Sequence, residues 1–318
     1  MLLCSGGRVV VIGAGRWGRT RISALTRFAD IAAVATVERE SAGARWVRET
    51  LPGVVHHHGP YGVQELLNTP DIAACFICTP INTHTELTTL ALEKGIDVFL
   101  EKPIGTTSQG SWQLCHMAEA LGNILFVGNT HAFSPGLDWL LSRAAVDPIV
   151  EARLAWGKFG TFNEPVLWNL MVHEVAIIQS LFCAPPTSVH VIRGNPADPT
   201  CDRSLSMLTF PEGAASIDID RRAVEPYKVV EVRTRSGAKL QWSGRHVWET
   251  ATDGKKLVHY SEEQSIDREM EAFFRCLERS DAPPLESPGS AQFSAQLIDI
   301  LMMIADQCGT ELPRGREL

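Results

Sequence analysis

The chain of 318 residues has no apolar run that reaches the ~18 residues of a membrane-spanning helix. It has no basic excess either. Lys and Arg number 29 against 37 Asp and Glu, a formal charge of −8. A general nucleic-acid binder needs a basic face, so neither nucleic acid nor a membrane is expected as a partner, although a local basic pocket for an anionic substrate stays open. Residues 1–7 lack a basic region followed by a long apolar stretch, so they do not read as a signal peptide, and the cytoplasm is the expected compartment. There is no GxSxG elbow, no P-loop, no internal repeat and no long low-complexity linker. His173-Glu174 lacks the second histidine of a zinc helix, because position 177 is Ile, and no metal is expected. His56, His57 and His58 read as a solvated loop, since consecutive residues cannot all converge on one ion.

What is present suits two domains. A chain of this length buries about three quarters of its unfolded surface and needs no disulfide or structural metal for stability. The eight cysteines are scattered, and only Cys75 and Cys78 form a CxxC. That pair lies in an apolar run that reads as a strand, where residues three apart face opposite ways. The reading is buried, reduced thiols and not a redox pair.

Residues 8–12 are a short β-branched run without alternation, which suits a strand buried on both faces of a parallel sheet. A glycine turn at 13–18 and a helix to about 27 follow. Further strands are expected at 31–37, 54–56, 72–79, 97–100 and 124–127, with helices at 61–68, 83–94 and 108–121 between them. This alternation predicts a doubly wound parallel sheet over residues 1–127. After 128 the rhythm changes. Helices are expected at 135–145 and 165–182, and strands at 149–156, 188–192, 205–210, 214–220, 228–235, 239–242, 246–250 and 256–260. Turn signals such as Ser236-Gly237 separate the strands, and the pattern predicts an α+β domain over 128–318 with an open, mostly antiparallel sheet for substrate binding and self-association. Two amphipathic helices close it, one with Met270, Phe273, Phe274 and Leu277 on a stripe, the other with Phe293, Leu297, Ile300, Leu301 and Ile304.

The turn Gly13-Ala14-Gly15-Arg16-Trp17-Gly18 has the context that a dinucleotide-binding motif needs: a buried strand before it, a helix after it, and Glu38 20 residues past Gly18. Gly13 allows the tight turn, Gly15 lets the backbone approach a pyrophosphate, and Gly18 lets helix and strand pack closely. The helix N-terminus then offers N–H groups and positive potential to phosphates. A carboxylate at 38 binds ribose hydroxyls and repels a 2′-phosphate, which favours NAD. Arg39 beside it keeps NADP open.

Two more segments follow predicted strand ends, where open α/β sheets bind ligands. One is Thr79-Pro80-Ile81-Asn82-Thr83-His84, the other Glu101-Lys102-Pro103. With the glycine turn and the α+β second half, these resemble the glucose–fructose oxidoreductase / inositol dehydrogenase / rhizopine-catabolism (Gfo/Idh/MocA) family from residue 8 to about 310. The segment Val166-Leu167-Trp168-Asn169-Leu170-Met171-Val172-His173-Glu174 is similar to the "VLWDLxxHD" stretch of that family's sugar-nucleotide branch, whose enzymes use NAD to oxidise the C3 hydroxyl of UDP-N-acetylglucosaminuronate. The form GAGRWG and the run Gly128-Asn129-Thr130 with Pro135 are similar to that branch too. The resemblance implies Lys102 and His173 as the catalytic pair beside the nicotinamide. It implies Gly13, Gly15, Arg16, Trp17, Gly18, Glu38, Thr79, Pro80, Asn82, His84, Glu101 and Lys102 around the cofactor. Lys102, Asn129, Arg153, Trp168, Asn169 and His173 would meet the substrate, and the family's members are commonly dimers or tetramers.

The chemistry agrees. Hydride transfer at a carbinol carbon needs a group that moves the hydroxyl proton, and a histidine with pKa near ~6.5 suits that task. A lysine can polarise the developing alkoxide. On a helix from Pro165, Asn169 and His173 would share a face, so Asn169 could orient the imidazole or touch substrate. Trp156 and Trp168 suit stacking on a sugar or base, or simple core packing. Arg153 suits an anionic group or a strand-edge surface charge. The chain departs from the branch at Asn169 and Glu174, both Asp there, and at Asn129, which is His there. Two other readings stay open: a ketone or imine reductase of a biosynthetic pathway, and a non-catalytic NAD-responsive regulator.

Overall fold

The computed structural model describes residues 7–59, 61–160, 164–252 and 254–308. It divides into two units, Met1–Asn129 with Ile266–Ala295, and Thr130–Ser265 with Gln296–Leu318. No helix of the described residues is long and apolar enough to cross a membrane.

The first unit carries a six-stranded parallel sheet: β1 (Arg8–Ile12), β2 (Asp30–Thr36), β3 (Val55–His58), β4 (Ile72–Ile77), β5 (Asp97–Glu101) and β6 (Leu125–Gly128). Its spatial order is β3-β2-β1-β4-β5-β6, the Rossmann order, with the change of direction between β1 and β4. Helices α1 (Arg16–Leu25), α2 (Ala42–Thr50), α3 (Gly62–Leu66), α4 (His84–Glu93) and α5 (Ser108–Leu121) make the crossovers. Val9, Val10 and Val11 have no exposed surface, as a strand covered on both faces requires.

One expectation needs correction here. The three histidines are not a loop. Val34, Ala35 and Thr36 pair in parallel with His56, His57 and His58, so the run is the sheet's edge strand. His56 Nε2 lies 2.9 Å from Thr36 Oγ1, and His57 Nδ1 lies 3.1 Å from Glu65 Oε2. The short strand expected at 54–56 therefore runs on through His58, and the lack of period-2 alternation in His-His-His hid its extent.

The second unit is built on an eight-stranded sheet. Its elements are α6 (Pro135–Ala144), β7 (Ile149–Gly157), α7 (Val172–Phe182), β8 (Ser188–Arg193), β9 (Arg203–Phe210), β10 (Gly213–Asp220), β11 (Tyr227–Thr234), β12 (Lys239–Ser243), β13 (His246–Ala251) and β14 (Gly254–Tyr260). The order is β14-β13-β12-β11-β7-β10-β9-β8, antiparallel throughout except that β7 and β10 run parallel. Strand alternation gives one buried face, including Leu154, Ile217, Val230 and Leu240, and one open face, including Glu151, Arg153 and Glu231. The helix expected over 165–182 is broken into a π segment, Leu167–Met171, and α7.

Two more helices follow, α8 (Ser265–Arg279) and α9 (Ala291–Asp306). Residues 266–295 belong with the first unit and not, as expected, with the second. The reason is aromatic. Phe76, Phe99 and Phe126 occupy matched positions on β4, β5 and β6 and stack as a ladder, with centroids 4.9 and 5.5 Å apart. Phe273 of α8 meets all three edge-on, at 5.2, 5.4 and 5.4 Å. The stripe read from sequence was right, but sequence could not say which apolar face it covers.

Phe273 has no exposed surface. Phe273→Ala is expected to cost about 3–5 kcal/mol of stability, read by denaturant unfolding. A loss below about 1 kcal/mol would show that the ring is not what seals the ladder.

Candidate active site

In the first unit the site is built at the carboxyl ends of β1, β2, β4 and β5. Gly13 has φ +99°, and a Cβ there would lie 2.6 Å from the Cys78 carbonyl oxygen. A Cβ on Gly18 would lie 2.3 Å from the Gly13 oxygen, whereas one on Gly15 would meet nothing within 4 Å. Strand and helix therefore close tightly at 13 and 18 and leave room at 15, which is the shape a pyrophosphate needs. No side chain caps the start of α1, so its first N–H groups are available to an anion. Arg16 and Trp17 are exposed on its first turn, and Glu38 is exposed just past β2. The residues present fit a dinucleotide. Cys75 and Cys78, close by, are buried free thiols, and burial pushes both well above the usual thiol range.

The loops after β4 and β5 are tied together. Thr79 is half-buried, Pro80 and Asn82 are exposed, and the Thr83 hydroxyl donates to Thr79 Oγ1 at 2.7 Å. His84 was expected at the cofactor. It is 1% exposed instead, with Nδ1 2.8 Å from the Pro103 oxygen and Nε2 2.9 Å from the Thr79 oxygen. Burial holds its pKa below the usual imidazole range, against the pull of the two carbonyls. It is a brace between the two motif loops.

Glu101, also expected at the cofactor, points inward. It is 5% exposed and accepts a hydrogen bond from Arg21 Nε at 2.6 Å. Arg21 Nη1 donates to Glu269 of α8 at 2.5 Å, and its guanidinium lies 4.7 Å from the Phe99 ring centroid. Burial works against the charge on Arg21, but Glu101 and Glu269 outweigh it and the shift is upward. Lys102 is half-buried between the anchored Glu101 and the buried Pro103, so both its neighbours are fixed. Sequence reading missed Arg21, although a charge on the Gly18–Ile22–Leu25 face of α1 was a visible signal.

Asn129 was expected to meet substrate. It is 2% exposed, and its amide donates to the Pro288 oxygen and to Ser294 Oγ, both at 2.8 Å. Its amide hydrogens are taken up inside the first unit, so it fastens the α8–α9 connection to the end of β6.

In the second unit His173 lies in the first turn of α7, 7% exposed. His131, in the turn Thr130–Phe133, meets its ring edge-on with centroids 4.7 Å apart. Trp156 of β7 lies 5.5 Å from His173 and 5.3 Å from His131. Lys228 of β11 places Nζ 3.8 Å from the Trp156 ring centroid and 2.7 Å from Glu174 Oε1. His131 and Lys228 also line a cavity of about 270 Å³. His131 and Lys228 were not anticipated, though Lys228 sits at an inward position in line with Val230 and Val232.

Two further residues singled out in the sequence lie nearby in the chain. Arg153 lies on the open face of the sheet, opposite Trp156, with 63% of its side chain exposed and Glu231 at 4.0 Å. Of its two readings, this placement favours the strand-edge surface charge. Asn169, expected to orient His173 or touch substrate, falls in the π segment, is half-buried, and its amide donates to Glu164 at 3.1 Å. Trp168, 6% exposed, is buried in the same segment.

Residues 7–129 match the family model described as "Oxidoreductase family, NAD-binding Rossmann fold". Inositol 2-dehydrogenase 1 of Paenarthrobacter aurescens is 30% identical over 59% of this chain, and the chain spans 58% of that protein's length. UDP-N-acetylglucosamine 3-dehydrogenase of Acidithiobacillus ferrooxidans is 25% identical over 71% of this chain and 70% of its own. A solved structure of that enzyme superposes with a TM-score of 0.82, at 18% identity over 96% of this chain and 98% of that one. The structure of GenD2 from gentamicin A biosynthesis, in complex with NAD, gives 0.79 at 15% identity, over 96% and 95% of the two chains. At such identities the superpositions show a shared fold.

Removing Arg21 leaves two buried carboxylates without their cation. Arg21→Met is expected to destabilise by about 3–5 kcal/mol, measured by chemical unfolding, and stability equal to the parent would remove Arg21 from this role. Gly18→Ala is expected to abolish NAD binding in calorimetry, because strand and helix must part.

Proposed function

We propose that the chain, whose residues 7–129 match the NAD-binding Rossmann model of the Gfo/Idh/MocA oxidoreductases, is an NAD-dependent dehydrogenase acting on a ring hydroxyl, or the matching ketone, of a sugar or sugar nucleotide. The observation that carries this reading is one sheet edge holding both an open phosphate cradle at Gly15 and a lysine, Lys102, with fixed neighbours on either side. The names of the relatives, an inositol 2-dehydrogenase and a UDP-N-acetylglucosamine 3-dehydrogenase, support the substrate class.

The nicotinamide, when bound, supplies the hydride acceptor or donor. The protein's own groups do the rest. His173 takes the hydroxyl proton during oxidation and returns it during reduction. Lys102 stabilises negative charge on the reacting oxygen, where a fixed cation is worth most in a dry site. Exposed Glu38 at the end of β2 selects NAD over NADP by repelling a 2′-phosphate. The reading includes a homodimer or homotetramer formed through the open face of the eight-stranded sheet, where Met207 and Leu257 are 38% and 50% exposed.

The test is a panel of cyclitols, sugars and nucleotide sugars with NAD, followed by the absorbance of the reduced cofactor. Turnover is expected for at least one class, and Lys102→Ala or His173→Ala should lower kcat by about 10²–10⁴-fold. NAD should bind more tightly than NADP, with the gap narrowed by Glu38→Ala. Tight NAD binding without turnover across the panel would overturn the enzymatic reading in favour of a regulator. Sedimentation at a monomer's mass would remove the oligomer.

A further inference from the structure

On β11 the inward positions are Lys228, Val230, Val232 and Thr234, so a lysine stands at the head of a buried row. Its partner Glu174 has no exposed surface. Burying two charges costs more than their attraction reliably returns, and an apolar pair of similar size would commonly hold such a position as well or better. Stability is therefore a poor reason for this pair to be here. Its location offers a better one. Glu174 is the residue after His173, on the same turn of α7. Lys228 faces Trp156 across the β7–β11 ladder, and the ammonium rests on the indole face. That indole lies against both His173 and His131. Burial pulls the Lys228 pKa down and Glu174 opposes the pull, so the carboxylate is what retains the cation on the ring.

We propose that Lys228 is a positioning residue for His173: anchored by Glu174, its ammonium fixes the Trp156 indole, and the indole holds the imidazole in the orientation that proton transfer requires. An indole clamped by a cation cannot swing within its pocket. An imidazole resting on it loses the freedom to turn away from substrate, and misplacing a proton-transfer group by a fraction of its length lowers the chemical step without weakening binding. This inference rests on the role given to His173 above.

The test separates the two ideas. The full-length protein is labelled on histidine, and the imidazole signal of His173 is assigned with His173→Gln. Without any substrate, Lys228→Met and Trp156→Leu should both shift that signal, while Lys255→Met, on the exposed strand β14, should leave it in place. Should Lys228→Met fold poorly, the double variant Lys228→Met/Glu174→Leu removes both buried charges together. The double variant should recover the parent's Tm but keep the displaced His173 signal. With a turned-over substrate, its kcat should fall between about ten- and a hundredfold with KM for NAD unchanged. Lys228→Arg, which keeps a cation, should restore part of the loss. A double variant with the parent's His173 signal, or the parent's kcat, overturns the proposal and makes the pair merely structural. If the parent turns over no substrate, the function fails while the His173 signal still decides this point.

Discussion

A single guanidinium, 2% exposed, faces two carboxylates in the interior of the first unit, and much of the geometry there follows from it. Arg21 sits on the helix that opens at the glycine turn. Glu101 ends β5 and precedes Lys102, and Glu269 belongs to α8. One cation thus ties the phosphate-facing helix, the strand that presents the lysine and the helix that covers the phenylalanine ladder. Charged hydrogen bonds in a low-dielectric interior are directional and expensive to break. The register among these three elements is consequently fixed where an apolar contact would allow sliding. His84 adds a second tie at the same edge, from the β4 loop to Pro103.

The second unit solves a similar problem with different parts. His173 lies in the first turn of α7, directly after the π segment that holds Asn169. Rings surround it: His131 on one side and Trp156 on another, with a lysine on the indole. Two imidazoles and an ammonium lie around one indole, and the buried carboxylate of Glu174 pairs with the ammonium at 2.7 Å.

Much of this was legible in the sequence, for reasons that differ by residue. Gly13, Gly15 and Gly18 act through their own backbone, so their spacing alone carried the meaning. The parallel sheet was readable because β-branched strands and helical stretches alternate, and the stripe of Met270, Phe273 and Phe274 because it repeats at helical spacing. Asn129 was misread because its partners at 288 and 294 are more than 150 positions away along the chain, beyond any local rule. The two readings of Arg153 could not be separated because a strand's face is set by register, and a π turn at Asn169 leaves no composition signature. Arg21 and Lys228 were passed over although each interrupts an apolar row, which is the one signal that a buried charge gives before a structure exists.

The phenylalanine ladder lies on strands that end by residue 128, but the ring that covers it arrives at 273. During synthesis from the N-terminus, the first unit therefore spends the making of more than a hundred further residues with an aromatic face bare to water. The earliest core is thus sealed only after all eight strands of the second sheet have been made.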